Sequence, residues 1–141
     1  YWGDVTRTVV RGKASKKIKD IYDAVLKTQS LALSQIKEGS SGKKIHQMIV
    51  QTFHNLGFPT GIHNGHMQGF FHGTGHGVGL EIHEMPHIGS KTQDILSRGQ
   101  VVTVEPGLYY QGIGGVRIED LVVVTSKGYR SLTQISKSLE I

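Results

Sequence analysis

The sequence contains no cysteine and only three prolines among its 141 residues. Because cysteine is absent, the chain can form neither a disulfide framework nor a thiolate metal site, and a cytoplasmic location is the simplest expectation. No apolar run approaches the roughly 18 residues that a membrane-spanning helix needs. The first residues, Tyr1-Trp2-Gly3-Asp4, also lack the features of a signal peptide. These absences predict a soluble protein that does not enter a membrane.

Acidic residues are scarce as well, with 11 Asp and Glu against 16 Lys and Arg. The formal net charge is +5, and the basic excess lies within residues 1–44, where ten basic residues stand against four acidic ones. Most of these lysines fall on segments with helical periodicity and would form a solvated face. No aromatic residues alternate with them as a platform for stacked bases requires. We therefore expect no nucleic-acid partner.

Two segments have the three-and-four spacing of amphipathic helices. Ser15 can cap the first helix, which Gly39 would end, and Ser41 can cap the second, which Gly57 and Pro59 would close. β-Branched or alternating residues predict strands at 4–10, 101–104, 108–110, 116–125 and a short one near 132–135.

Four of the eight histidines lie outside the stretch His72–His87, and none of the four is assigned a specific role. His46 and His54 are eight residues apart on the second predicted helix and are expected to be surface residues. His63 and His66 fall in the glycine-rich segment 60–71, which predicts an irregular loop able to line a pocket.

The densest chemical signal runs from His72 to His87, where glycines separate the histidines. Its end, from His83, matches the His-Glu-x-x-His pattern of zinc proteases, but that pattern requires a helix and Pro86 would break it. The alternating glycines also disfavour a helix. The pattern instead predicts an extended segment in which His76, with glycine on both sides, can direct a ring nitrogen at a cation.

Two carboxylates fall where a buried sheet is predicted. Glu105 ends the apolar strand 101–104, and Glu119 lies among β-branched residues. Burial of an unpaired carboxylate is costly, so each needs a cation. Arg117, two residues before Glu119, could supply one as a salt bridge, and a metal ion is the alternative. Oxygen ligands with one imidazole suit Mn²⁺, Co²⁺ or Zn²⁺.

Together these motifs resemble a known family. The chain reads His72-Gly-Thr-Gly-His76, then Val-Thr-Val-Glu105-Pro-Gly, then Gly-Gly-Val-Arg117-Ile-Glu119-Asp120, and it begins Tyr-Trp-Gly-Asp4-Val-Thr-Arg-Thr. This combination is similar to the Xaa-Pro peptidases of the pita-bread metallopeptidase family, over nearly the whole chain.

The resemblance implies an α+β pita-bread fold, with a curved antiparallel sheet and helices on its outer face. Residues 1–141 would form the C-terminal portion of a single catalytic domain, without its N-terminal part. The implied reaction is hydrolysis of the bond between an N-terminal residue and a following proline. An Xaa-Pro dipeptidase (prolidase) is the alternative, followed by a methionine aminopeptidase or a metal-free binding module of the same fold.

The resemblance also assigns roles to residues. Its metal centre would hold two divalent ions, Mn²⁺ first and Co²⁺ or Zn²⁺ as alternatives, with Glu119 bridging them. Glu105 could also accept a proton, and the substrate would be a peptide with proline in second position. A homodimer is compatible with the family. The implied metal ligands are Asp4, His76, Glu105 and Glu119, and the implied substrate-side residues are His72, His83, Tyr109 and Arg117.

Overall fold

A computed structural model describes residues 1–141 and contains the two predicted helices. Helix α1 spans Lys16–Ser34, and the Ser15 side chain accepts a hydrogen bond from its first turn, as predicted. It ends before Gly39, because the chain turns at Gln35 and a further turn follows. Helix α2 spans Gly42–Asn55 and is capped by Ser41. Neither helix combines the length and the apolar character that crossing a bilayer requires.

Nine short strands complete the fold, and all their pairings are antiparallel. A five-stranded sheet has the order β4-β3-β5-β8-β9, while β1–β2 and β6–β7 form separate two-stranded ribbons. The α+β class predicted from the sequence is confirmed. The strands are β1 (Gly61–His63), β2 (His66–Gln68), β3 (Gly75–Gly77), β4 (Glu84–Ile88), β5 (Val101–Val104), β6 (Gly107–Tyr110), β7 (Gly114–Arg117), β8 (Asp120–Val124) and β9 (Tyr129–Ser131).

One core of 20 buried apolar residues joins the helices to the strands. Helix α1 packs against β5, β6 and β7, and α2 packs against β4. The apolar stripes that predicted the helices supply much of this core, because Ile21, Val25, Ile45, Ile49 and Phe53 are all buried. Burial of these stripes fixes the helices against the sheet and thereby positions the strands that carry the polar residues described below.

The prediction of a strand at 4–10 is wrong, because the segment is extended but does not pair continuously with another strand. Its only β-type pairings are isolated bridges, Thr6 to Glu119 and Val10 to Glu140. The Thr8 hydroxyl accepts the backbone N–H of Arg117, so a side chain takes the place of a ladder partner. Local β-branched composition indicated an extended chain correctly, but it carries no information on whether one partner strand runs alongside.

Three further boundaries differ from the sequence predictions. The predicted strand 116–125 is two strands, since β7 pairs with β6 whereas β8 pairs with β5, and the break falls at Glu119. The last strand is β9 rather than 132–135, where the Thr133 hydroxyl accepts the N–H of Leu121. The segment 60–71 is not an irregular loop, because β1 and β2 form a hairpin around a turn at Asn64 and Gly65.

Candidate metal centre

Four polar side chains from distant parts of the chain meet at one end of the five-stranded sheet. His76 lies on β3, Glu105 directly follows β5, and Glu119 occupies the break between β7 and β8. Asp4 comes from the extended first segment, which reaches the centre through the bridge between Thr6 and Glu119. The structure therefore brings together all four residues that the sequence proposed as ligands.

The glycines around His76 have a steric explanation. A Cβ atom on Gly75 would lie 1.9 Å from the carbonyl oxygen of Thr103, and one on Gly77 would lie 2.3 Å from that of Met85. Both distances are far below van der Waals contact, so only glycine permits these backbones to approach. The close approach buries His76 between β4 and β5, and the residue is 8% exposed.

The ring of His76 is oriented for ligation through Nε2. Its Nδ1 lies 3.0 Å from the Gly77 carbonyl oxygen and donates a hydrogen bond to it. Nε2 then faces two carboxylates, 3.3 Å from Glu105 Oε1 and 3.7 Å from Asp4 Oδ2. One ligand atom each from Asp4, His76 and Glu119 lies within 4.8 Å of the others. A ring nitrogen fixed by a carbonyl behind it is typical of metal-binding histidines.

Glu119 carries the strongest electrostatic signal. It is only 2% exposed, and burial, together with repulsion from Glu105 and Asp4, raises its pKa to about 7. The hydrogen bond from Thr6 and the charge of Arg117 oppose this rise without cancelling it. Three carboxylates are thus crowded into one buried place with too little positive charge to balance them.

The sheet salt bridge that was the alternative explanation for Glu119 is weak. Arg117 Nε lies 3.9 Å from Glu119 Oε2, beyond hydrogen-bond distance, and donates instead to the Thr6 hydroxyl at 3.1 Å. Burial tends to raise the pKa of Glu105, but the adjacent His76 outweighs it and holds that pKa below its usual range. Three carboxylates and one imidazole are a donor set that fits a hard or borderline divalent ion.

A cavity of about 740 Å³ opens beside the candidate centre, and His76 and Glu105 of the four candidate ligands line it. His72, His83, Tyr109 and Arg117, the predicted substrate-side residues, all line it. The ring of His83 is exposed and lies 4.2 Å from the ring of His76, measured between centroids. The cavity thus joins the candidate ligands and the candidate substrate contacts in one continuous space.

His72 is held in one neutral form. Its Nδ1 lies 2.8 Å from the Gly73 carbonyl and donates to it, so Nε2 is free to accept from the Tyr109 hydroxyl at 2.9 Å. Arg117 Nη1 approaches the same hydroxyl at 3.5 Å. Burial lowers the pKa of His72, against the opposing effect of the Gly73 carbonyl. In this wall of the cavity, the Tyr109 hydroxyl is therefore the donor and His72 Nε2 is the acceptor.

Of the other histidines, His87 also lines the cavity, whereas His54, His63 and His66 lie away from this centre. His63 and His66 face each other in the β1–β2 hairpin, are exposed, and do not line the cavity. The Asn-Gly dipeptide between them was the available signal for that hairpin. His54 is exposed, as predicted.

The prediction that His46 is a surface residue is wrong. His46 is 8% exposed, and its Nδ1 lies 3.0 Å from the hydroxyl of buried Thr74. Its spacing of three and seven residues before Ile49 and Phe53 already placed it on the apolar stripe. Burial lowers the pKa of His46, as does the nearby His72. The pair formed by His46 and Thr74 links α2 to the residue two positions before His76.

Replacing Thr74 with valine is expected to destabilise the fold by about 1–3 kcal/mol, because it leaves a buried ring nitrogen of His46 without a partner. Thermal melting of the metal-free protein would measure this. The double variant Thr74→Val with His46→Leu replaces both polar partners and is expected to recover most of the loss. A single variant as stable as wild type would show that His46 has another partner.

The sequence is similar to a family of metallopeptidases. Residues 1–126 match the model of metallopeptidase family M24. An Xaa-Pro dipeptidase of Pyrococcus furiosus is 38% identical over 139 residues, which is 99% of this chain and 38% of that protein. The uncharacterized peptidase YqhT of Bacillus subtilis is 41% identical over 141 residues, covering the whole chain and 38% of that protein.

Two solved structures that resemble this chain are an X-Pro aminopeptidase and a prolidase. The X-Pro aminopeptidase of Thermotoga maritima superposes with a TM-score of 0.88 and 35% identity, over 99% of this chain and 38% of that one. The prolidase of Pyrococcus horikoshii gives 0.86 and 38% identity, over 96% of this chain and 37% of that one. The predicted pita-bread fold is confirmed. The chain spans about 38% of the length of the curated relatives named here.

Proposed function

Because the chain belongs to metallopeptidase family M24, we propose that it takes part in hydrolysis of the peptide bond between an N-terminal residue and a following proline. The observation that carries this proposal is the convergence of Asp4, His76, Glu105 and Glu119 beside a cavity lined by histidines. The relatives with an assigned name, a dipeptidase and an aminopeptidase, both act on Xaa-Pro substrates by those names.

The four converging residues are the ligands of the proposed centre, which would hold two divalent ions with Glu119 between them. Mn²⁺ is our first choice, with Co²⁺ and Zn²⁺ as alternatives, since all three accept carboxylate and imidazole donors. Divalent ions there would lower the pKa of water and polarise the scissile carbonyl. The buried, mutually repelling carboxylates support this assignment, because a cation would relieve the charge that raises the pKa of Glu119 to about 7.

The remaining residues bind and orient the peptide in this proposal. Tyr109 donates a hydrogen bond to His72 Nε2, and Arg117 donates to the Tyr109 hydroxyl. All three side chains line the cavity and are available to the peptide. Glu105 accepts a proton from the attacking water. His83, exposed and adjacent to His76, supplies a proton to the departing proline nitrogen, which carries no hydrogen of its own while it is in the peptide bond.

An Xaa-Pro dipeptidase is equally compatible with the centre, because both kinds of relative share it. A metal-free binding module of this fold is disfavoured, since it has no need for four converging donors. The cytoplasmic location, the homodimer and the limits of the domain stay predictions.

Activity would be tested with the purified protein, Mn²⁺, Co²⁺ or Zn²⁺, and three peptides: a dipeptide Xaa-Pro, a tripeptide Xaa-Pro-Xaa and a tripeptide with alanine in place of proline. Release of the N-terminal residue from the proline peptides only is the expected result. Cleavage of the dipeptide alone would identify the dipeptidase. A protein that binds metal but cleaves neither proline peptide would contradict the proposal.

Replacing His83 with alanine is expected to lower kcat about 10²- to 10⁴-fold, the usual contribution of a positioned proton donor. Bound metal should stay at the wild-type level, because His83 is not one of the four ligands. The matched control is His66→Ala, a histidine outside the cavity, which should change neither quantity. Loss of metal in His83→Ala would make His83 a ligand instead.

A further inference from the structure

A group of four side chains, two of them buried and two partly exposed, lies directly behind the candidate metal centre. It consists of Arg7, Gln29, Asp120 and Lys137, and we call it the anchoring network. Gln29 is 0% exposed and Asp120 4% exposed. None of the four lines the cavity beside the metal centre. They come from the first segment, α1, β8 and the last segment of the chain.

Arg7 fixes Glu119 to the segment that carries Asp4. Its Nη1 donates to the carbonyl oxygens of both Thr6, at 2.8 Å, and Glu119, at 2.6 Å. The N–H of Glu119 donates to the Thr6 carbonyl at 3.1 Å. Both backbone polar groups of Glu119 are therefore held by the dipeptide Thr6-Arg7, two and three residues after Asp4.

Gln29 extends the same connection to Glu105. Its Nε2 lies 3.3 Å from the carbonyl oxygen of Val104, the residue before Glu105, and 3.1 Å from Asp120 Oδ2. Asp120 directly follows Glu119. One buried amide thus bridges the residues next to two of the candidate ligands.

Lys137 closes the network from the last segment of the chain. Its Nζ lies 2.5 Å from Asp120 Oδ2 and 2.7 Å from Gln29 Oε1. Arg7 Nη2 contacts the other oxygen of Asp120 at 2.6 Å. Two cations around one carboxylate give the network a formal excess of one positive charge, directly behind three crowded carboxylates.

We infer that the anchoring network sets the spacing of the carboxylate ligands Asp4, Glu105 and Glu119, and that Lys137 couples the last segment of the chain to metal occupancy. The four are positioning residues, since they act through the ligands and touch neither metal nor substrate. The inference rests on the metal centre of the proposed function but not on its peptidase activity. Because coupling is reciprocal, metal binding must stabilise the contact of Lys137 as much as that contact strengthens metal binding.

The main test is Lys137→Met, which keeps an unbranched side chain and removes the ammonium. Mn²⁺ affinity, measured by titration calorimetry, is expected to fall about 10- to 100-fold, the usual effect of losing a group that orients a ligand. Lys137→Arg keeps the charge and should retain most of the affinity. Lys13→Met is the matched control, because that 91% exposed lysine side chain pairs with Glu140 on the same last segment but does not reach the network.

A second measurement follows the last segment of the chain directly. Hydrogen exchange of residues 132–141 in the wild-type protein is expected to slow when Mn²⁺ is added, since the ion and Lys137 stabilise the same arrangement. The same peptides should show little response to Mn²⁺ in Lys137→Met. The difference between wild type and Lys137→Met in this response to Mn²⁺ tests the coupling even if the variant is too unstable for calorimetry.

The possible results separate the inference from the proposed function. Wild-type Mn²⁺ affinity in Lys137→Met, with exchange of residues 132–141 unaffected by Mn²⁺, would overturn the inference and leave the metal centre intact. A protein that shows the expected affinity loss but cleaves no Xaa-Pro peptide would support the inference and contradict the peptidase. A wild-type protein that binds none of Mn²⁺, Co²⁺ and Zn²⁺ would overturn both.

Discussion

Replacing Glu119 with glutamine is expected to remove most of the thermal stabilisation that Mn²⁺ gives the protein, whereas replacing Arg117 with methionine is expected to preserve it. Ligand atoms of Glu119, Asp4 and His76 lie within 4.8 Å of one another in the candidate centre. The carboxylate of Glu119 is more deeply buried than those of Asp4 and Glu105. Losing a group that merely orients a ligand typically weakens metal binding about 10- to 100-fold. We therefore expect at least the upper end of that range for loss of a bridging ligand.

Melting with excess Mn²⁺ and with chelator would measure this effect. A ligand at 100 times its Kd stabilises the native state by about 2.7 kcal/mol, which corresponds to roughly 8 °C in Tm for a chain of this size. Glu119→Gln should lose nearly all of that shift. Arg117→Met should keep it, because Arg117 Nε is 3.9 Å from the carboxylate and hydrogen-bonds elsewhere.

The salt-bridge explanation makes a different prediction for the same three proteins. If Glu119 were paired only with Arg117, either substitution would leave a buried charge unpaired at a cost of about 3–5 kcal/mol. That cost would appear with chelator present, and the shift produced by Mn²⁺ would be equal in all three proteins. Equal shifts would thus refute the bridging role.

Replacing Gly75 with alanine is expected to destabilise the protein by more than about 3 kcal/mol, above the usual cost of overpacking. The new Cβ would lie 1.9 Å from the Thr103 carbonyl oxygen and 2.8 Å from its carbon. Backbone cannot rotate away as a side chain can, so β3 and β5 would have to separate. The Thr103 hydroxyl accepts the N–H of His76 and donates to Glu105, hence the centre would be distorted as well.

Thermal melting and Mn²⁺ titration of the Gly75 variant would measure both effects. Gly128→Ala is the matched control, because no heavy atom lies within 4 Å of a Cβ built there, and it should change stability by no more than about 0.5 kcal/mol. If Gly75→Ala had the same Tm as the control, β3 and β5 would have to lie further apart than the Gly75–Thr103 contact implies.

The sequence predicted the helices and most of the site for different reasons. Helices α1 and α2 follow from local information, namely Ser caps and apolar stripes, and both were predicted. The ligands could be proposed because glycine-flanked His76 and the carboxylates of Glu105 and Glu119 interrupt patterns that otherwise indicate buried strands. The role of Asp4 followed only from the family resemblance, since an aspartate at the start of an extended segment is usually a turn residue.

The failures share a physical cause, which is that strand pairing depends on distant partners. The chain changes partner at Glu119, but β-branched residues lie on both sides of it, so the pattern predicted one strand where there are two. The anchoring network was not predicted either. Gln29 and Lys137 lie 108 positions apart, and no periodicity marks residues that meet only after the whole chain has folded.

The bridge between Thr6 and Glu119 also determines when an ion can bind during folding. Its two residues are 113 positions apart, and the candidate ligands Asp4 and Glu119 are separated by nearly the whole length of the chain. Closing so large a loop has a substantial entropic cost, and the four candidate donors are brought together only after it has closed. An ion bound there would act as a late cross-link between the two segments, one that slows their separation rather than guiding their first encounter.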